Sequence, residues 1–235
     1  MTVALHEYDK LLENVELFKG IKSRELHAML TCVGASMKKF PHDAVVLNAG
    51  DEASHIGIVL SGEIHILKDD AFGHRNIIGG LMPGDIFGEA FVCAGIKESP
   101  VSITAVTEAE VLFLDYERAF TTCSNTCSFH VMLIQNMMKL LAQKNLFLNQ
   151  KIDYLSIKNL RARIAAYLLS ESERQKSDMV SIPFNRNDMA DFLGANRSAL
   201  SRELSRMRDD GLIEYWKNSF KIIDKERLKK CSMAL

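Results

Sequence analysis

Four side chains in the C-terminal third, Arg197, Ser198, Ser201 and Arg202, follow one another at spacings that put them on the outward side of one helix. Arginine carries a planar fork that can donate two hydrogen bonds to the O6 and N7 acceptors of guanine, and serine can serve several acceptors or a phosphate. Leu200, Leu204 and Met207 form the apolar stripe of the same helix, so the stripe looks inward while the Arg and Ser look outward. A helix of this kind, with its N-terminal end in the major groove, reads double-stranded DNA.

The neighbouring residues supply what would hold that helix. Asn185 can cap a first helix whose inner face is Met189, Phe192 and Leu193; Gly194 allows a tight turn, and Asn196 caps the second helix. Gly211 to Trp216 and Phe220 to Ile223 then read as two strands around Lys217, Asn218 and Ser219, which makes a wing. An ordinary helical hairpin with solvated arginines accounts for Arg206 and Arg208. It does not account for the order helix, turn, helix, hairpin.

Upstream, no Gly or Pro interrupts Phe129 to Leu155, and Ile134, Met137, Leu141, Lys144, Leu148 and Leu155 recur at spacings of three, four and seven. A helix of about 27 residues spans about 40 Å, longer than a small roll can cover, so part of it is expected to meet a second copy in a homodimer. Asp153 or Ser156 is placed to cap the next helix, Ile157 to about Arg174, which leads to a polar loop and a short strand at Val180 to Pro183. Nearer the start, Leu11 to Leu30 reads as two short helices broken around Gly20. Between them, Val45 to Leu47, Ile56 to Leu60, Glu63 to Leu67, Ile77 to Leu81, Val101 to Val106 and Val111 to Leu114 are short β-branched or alternating runs separated by Gly- and Pro-containing turns. That spacing predicts a compact antiparallel roll. The chain is therefore expected to be α+β in three parts: a β-roll sensor domain at 1–127, a dimerisation helix at 128–155 and a winged helix-turn-helix at 156–235.

Of the 235 residues 47% are hydrophobic, which suffices for a real core, and no run of eighteen apolar residues occurs. The first residues mix acids with a base, unlike a secretory leader, so the chain is expected in the cytoplasm with no membrane partner. The net charge of -1 conceals an asymmetry: residues 156–235 hold 16 Lys+Arg against 11 Asp+Glu, and the remainder hold 13 against 19. The basic surface is C-terminal, where the outward arginines are. Five cysteines in a reducing compartment are free thiols, ligands or sensors rather than a disulfide framework.

The order of roll, long helix and winged helix-turn-helix, with GDIFGE at Gly84 to Glu89 and RNDMADFLGANRSALSRELSRMRDDGLI at Arg186 to Ile213, resembles the cyclic-AMP receptor protein and FNR family of bacterial regulators. The resemblance covers nearly the whole chain, and the recognition-helix segment is its most specific part. It implies a jelly roll like that of cyclic-nucleotide-binding domains, a homodimer on an inverted-repeat DNA site, and transcription regulation with RNA polymerase as a partner. It puts Arg197 and Arg202 at the family's principal base-contacting positions and Arg186 at a position near the DNA backbone, where it is expected to act on phosphate. Ser198 stands where Glu is common, which implies a DNA site different from that of the founding member.

In cyclic-AMP-binding members a Gly-Glu pair is followed, after a short helix, by Arg-Ser. Here Gly88 and Glu89 match the first pair, Ser99 and Pro100 stand in place of the second, and Leu140 falls where the long helix usually offers another arginine. The only basic residue between Gly79 and Tyr116 is Lys97, and a buried phosphate without a charge-assisted partner loses most of its binding energy. Cyclic AMP in its usual pose is thus not expected, and Glu89 reads equally well as a structural carboxylate of the short helix. An FNR-type iron-sulfur cluster fails because only Cys32 precedes residue 93. Cys123, Cys127 and His130, with Cys93, could take zinc or haem or sense oxidation, although their spacing is no zinc pattern and buried structural thiols are the commoner case. The expected effector is a small molecule or a redox signal, and the sequence does not identify a cofactor. A signal-binding β-roll adaptor without DNA contact is the alternative, and it does not account for Arg197 and Arg202 beside a wing; a metal-dependent cupin enzyme would need a tight His-x-His, which His55, His65 and His74 do not provide, and no P-loop or nucleophile elbow occurs.

Overall fold

The computed structural model describes residues 5–69, 75–120, 128–182 and 184–232. The chain divides into two compact units that meet in sequence at Ala142 and Gln143. That boundary falls within 128–155, the segment expected to be the dimerisation helix.

In the first unit a single 3-10 turn, His6–Tyr8, precedes α1 (Asp9–Asn14) and, after a second such turn, α2 (Ser23–Cys32). The roll follows as β1 (Ser36–Phe40), β2 (Val45–Leu47), β3 (His55–Ser61), β4 (Ile64–Asp69), β5 (Arg75–Leu81), β6 (Ile86–Phe87), α3 (Glu89–Cys93), β7 (Ser102–Ala105), β8 (Ala109–Asp115) and α4 (Tyr116–Phe120). Two antiparallel sheets, ordered β1-β8-β3-β6 and β2-β7-β4-β5, face each other. Val59, Ile64, Phe87, Ile103 and Val111 fill the space between them. The other face of the first sheet, Ile56, Ile58, Leu60, Leu112 and Leu114, is buried under Leu12, Leu17, Phe18, Leu26 and Met29 and under Leu133, Met137 and Leu140 of the long helix α5 (Ser128–Ser156). This two-sided burial explains why β3 reads as an apolar run rather than an alternation. Each Leu or Ile so buried contributes about 1.5 to 3 kcal/mol of transfer free energy.

Two strands, β1 and β6, were not expected from the sequence. β1 sits at a sheet edge with Lys38 and Lys39 exposed, and such edge lysines dilute the strand signal while protecting the edge. β6 is two residues long and pairs only through Gly57 with Phe87 and Ile58 with Ile86. The seam expected on α5 is also corrected in part. Met137 is 3% exposed and faces its own domain, so it belongs to the core and not to the outward stripe.

The second unit contains α6 (Leu160–Gln175), β9 (Met179–Ser181), α7 (Arg186–Phe192), α8 (Arg197–Asp209), β10 (Ile213–Trp216), β11 (Ser219–Ile222) and α9 (Lys225–Ser232). The three strands form one sheet ordered β10-β11-β9. Because α5 continues to Ser156, neither Asp153 nor Ser156 caps the following helix. Asn159 does, its side-chain oxygen accepting from the main-chain N–H of Arg161 at 2.9 Å and of Ala162. Ile164, Leu168, Met189, Phe192, Leu200, Leu204, Met207 and Phe220 share one core. Among the described residues no helix is long and apolar enough to cross a membrane.

Candidate nucleic-acid interface and roll cavity

Each helix of the helix-turn-helix is started by a side chain that the sequence marks. Asn185 accepts from the N–H groups of Asn187 (2.8 Å) and Asp188 (3.1 Å), while Asp188 Oδ2 accepts from the Asn185 N–H at 3.2 Å, a complete capping box. Gly194 then turns the chain at φ +59°, a conformation that L side chains rarely adopt. Asn196 accepts from Ala199 N–H at 2.7 Å and from the Ser198 hydroxyl at 3.0 Å, starting α8. With Leu200, Leu204 and Met207 buried beneath, Arg197, Ser198 and Arg202 are exposed and Ser201 is half-buried.

The four arginines of α8 differ in what they do. Arg206 pairs with Glu203 at 3.3 Å, and Arg208 pairs with Asp209 and lies 5.8 Å from the Tyr215 ring centre. Among the described residues, Arg197 and Arg202 have neither an ion-pair nor a hydrogen-bonded partner. Those at the far end of α8 are paired with acids of the same helix, and those at its N-terminal half are exposed.

Arg186, expected to act on phosphate, also has contacts within its own domain. Its guanidinium is half-buried, 5.1 Å from the centre of Tyr215 and 5.6 Å from that of Phe220, and Nη2 donates to the Lys217 carbonyl at 3.1 Å. Burial draws its pKa below the ordinary arginine value, and the nearby charge of Arg197 adds to this. Arg186 thus braces the wing, whose turn requires Lys217 at φ +53°. Two further arginines were missed by sequence reasoning. Arg163 donates to the Leu193 and Gly194 carbonyls at the turn and to the Ile157 carbonyl. Arg161 ties α6 to α8 through Glu203 at 2.6 Å and Asp210 at 2.7 Å. Nothing in the local sequence around either singles it out, and the packing reveals their partners.

In the roll, Gly88 caps α3 at φ +82°, and a Cβ there would lie 2.8 Å from the His55 carbonyl oxygen. Gly88 lines a cavity of about 280 Å3 with Lys38, His55, Phe87, Phe91 and Phe113. The other expected effector residues are not brought to it. Ser99 is buried and its hydroxyl donates to the Val101 carbonyl at 2.7 Å; Pro100 is exposed; Leu140 is in the apolar core. Glu89 is buried at the first turn of α3 and engaged within the fold. Cys93 is half-buried, and burial pushes its thiol up despite a hydrogen bond with Tyr116, the opposite of what a reactive thiolate requires. Cys123 and Cys127 lie outside the described residues. His130 is buried, with Nε2 3.2 Å from the Arg118 carbonyl oxygen and no hydrogen-bond partner for Nδ1 among the described residues.

Comparison with known proteins agrees with this arrangement. The cyclic nucleotide-binding domain family matches residues 37–125, and the Crp-like helix-turn-helix domain family matches residues 162–231. A CRP-like cAMP-activated global transcriptional regulator of Mycobacterium tuberculosis is 22% identical over 228 residues, covering 94% of this chain and 98% of that one. Among solved structures, the catabolite activator protein of Thermus thermophilus aligns with a TM-score of 0.51 at 22% identity, over 92% of this chain and 98% of that one. The c-di-GMP responsive global regulator CLP of Xanthomonas campestris aligns with a TM-score of 0.55 at 18% identity, over 86% and 100%. The roll and the winged helix-turn-helix are thus each matched, in the same order and over nearly full length, and the chain belongs to the cyclic-AMP receptor protein and FNR family of transcription regulators.

Proposed function

We propose that the chain is a homodimeric, sequence-specific DNA-binding regulator whose affinity for DNA is set by a signal taken up in the roll, and that this signal is not cyclic AMP in its usual pose. The observation that carries the DNA reading is the division within α8: Arg197 and Arg202 stand exposed and unpartnered among the described residues, while Arg206 and Arg208 are held by acids. Arg197 supplies bidentate donors to a guanine edge, Arg202 a second base contact, and Ser198 and Ser201 adaptable polar contacts. Selection of bound sites from random duplexes, with wild type and Arg197→Ala in parallel, tests it.

The dimer reading rests on α5. Val131, Met138, Asn145 and Ile152, together with Ile134, Leu141, Leu148 and Leu155, repeat every seven residues as the a and d positions of a coiled coil. Met138 is 67% exposed and Ile152 62% exposed in the single chain, as seam positions awaiting a partner would be. Asn145 at an a position favours one register and two strands at some cost in stability. Two copies of α8 related by a twofold would then meet successive major grooves about 34 Å apart on an inverted repeat, with RNA polymerase as the partner through which transcription responds.

The effector reading rests on charge. Neither Ser99, Pro100 nor Leu140 supplies a cation for a cyclic phosphate, and the cavity beside Gly88 offers three phenylalanine rings with Lys38 and His55 at its edge. Glu52 lines it as well, and a small molecule with an apolar body and a polar group matches those walls.

A further inference from the structure

We propose that His6, Asp9 and His27 form a binding site for a divalent first-row transition metal ion of the zinc class. The three lie on different parts of the N-terminal cover: His6 in the first 3-10 turn, Asp9 at the start of α1 and His27 in the middle of α2. Asp9 stands between the two histidines, with Oδ2 3.2 Å from His6 Nδ1 and Oδ1 2.8 Å from His27 Nε2. The two imidazole rings are 4.1 Å apart between centroids. One donor atom from each of the three residues falls within 4.8 Å of the others.

Two imidazole nitrogens and one carboxylate oxygen are the donors that zinc, nickel, cobalt and copper prefer, whereas magnesium and calcium take oxygen alone. A tetrahedral zinc ion with bonds of about 2.0 to 2.1 Å holds its ligands about 3.3 Å apart. The donor atoms must therefore close by no more than about 1.5 Å, a side-chain rotation that the exposed His6 can supply. The proton balance is simple. A neutral histidine keeps one N–H, so on metal binding the His6 proton resides on Nε2 and the His27 proton on Nδ1, and each nitrogen now facing Asp9 offers its lone pair. Three protein ligands leave one position for water or an outside ligand.

The backbones that carry the three residues are fixed independently. Leu12 of α1 and Leu26, Met29 and Leu30 of α2 are buried in the core that covers the first sheet of the roll. Asp9 and His27 thus sit on packed helices, which limits the entropy lost when the ion binds. An occupied site would staple the first turn to α2, independently of how the chain reads DNA.

Calorimetry of zinc chloride added to the full-length, chelator-treated protein tests this. One zinc ion per chain is expected to bind at micromolar or lower concentration. His6→Gln and His27→Gln, which keep a hydrogen-bond donor for Asp9 and whose folding is checked by circular dichroism, should each weaken binding at least tenfold, and the double variant should lose it. Cobalt in place of zinc should show ligand-field absorption without a thiolate charge-transfer band. No binding at micromolar zinc, affinity unchanged in the double variant, or a thiolate band, which would put the metal on cysteines, would each overturn the proposal.

Discussion

Arg186 Nη2 donates to the Lys217 carbonyl at 3.1 Å, joining the first helix of the helix-turn-helix to the turn of the wing. The residue expected to touch phosphate is therefore committed, on at least one nitrogen, to holding a neighbouring element in place. Removing it would weaken DNA binding by freeing the wing, without changing which bases are preferred. The salt dependence separates the two roles. A direct phosphate contact contributes about one unit to the slope of log affinity against log salt concentration, and a wing brace contributes none. Arg186→Ala is expected to weaken all duplexes alike with the slope nearly unchanged, as measured by fluorescence anisotropy across a salt series; a slope flattened by a full unit per protomer would restore the phosphate role.

The heptad on α5 makes a prediction that its core face does not share. Leu148→Glu with Ile152→Glu puts charges on two exposed seam positions and should convert the dimer to monomer at micromolar concentration in sedimentation velocity, with the fold of each chain retained. Met137→Glu should instead destabilise the roll, because Met137 is buried against its own domain. Asn145→Val should tighten association while allowing more than one oligomeric state. A double Glu variant that stays dimeric would exclude the seam.

Much of this architecture is legible in the sequence, and the rest is hidden for physical reasons. Asn185, Gly194 and Asn196 announce the helix-turn-helix because capping and positive φ are local requirements that few residue types satisfy. The d positions Ile134, Leu141, Leu148 and Leu155 were equally visible, but Met137 was not separable from them, since both faces of the upper helix are apolar and only packing says which one is covered. The braces Arg161, Arg163 and Arg186 were hidden because the partners that tie them to other elements are main-chain carbonyls or acids 30 to 49 residues away. In the roll, Gly88 declares itself by its conformation. Ser99, Pro100 and Leu140 were grouped with it by resemblance, and their own hydrogen bonding and burial lead elsewhere.

Cyclic AMP is expected neither to bind at micromolar concentration nor to raise DNA affinity. Ser99, whose hydroxyl is already given to the Val101 carbonyl, and Pro100 replace the pair that would hold its phosphate, and a desolvated phosphate without a charge-assisted partner loses most of its binding energy. Isothermal titration calorimetry with the full-length protein is the measurement. Micromolar binding accompanied by tighter DNA binding would overturn this reading of the roll and leave that of α8 untouched.

Direct readout by Arg197 is tested by selecting bound duplexes from a random pool with wild-type protein and with Arg197→Ala. Wild type should enrich an inverted repeat whose half-sites are centred about one helical turn apart, each with a guanine at a fixed position. Arg197→Ala should lose about 1 to 3 kcal/mol per half-site and relax the preference at that base pair alone. Enrichment of the same motif with equal affinity by both proteins, or of no motif by either, would contradict the assignment of Arg197 to a base edge.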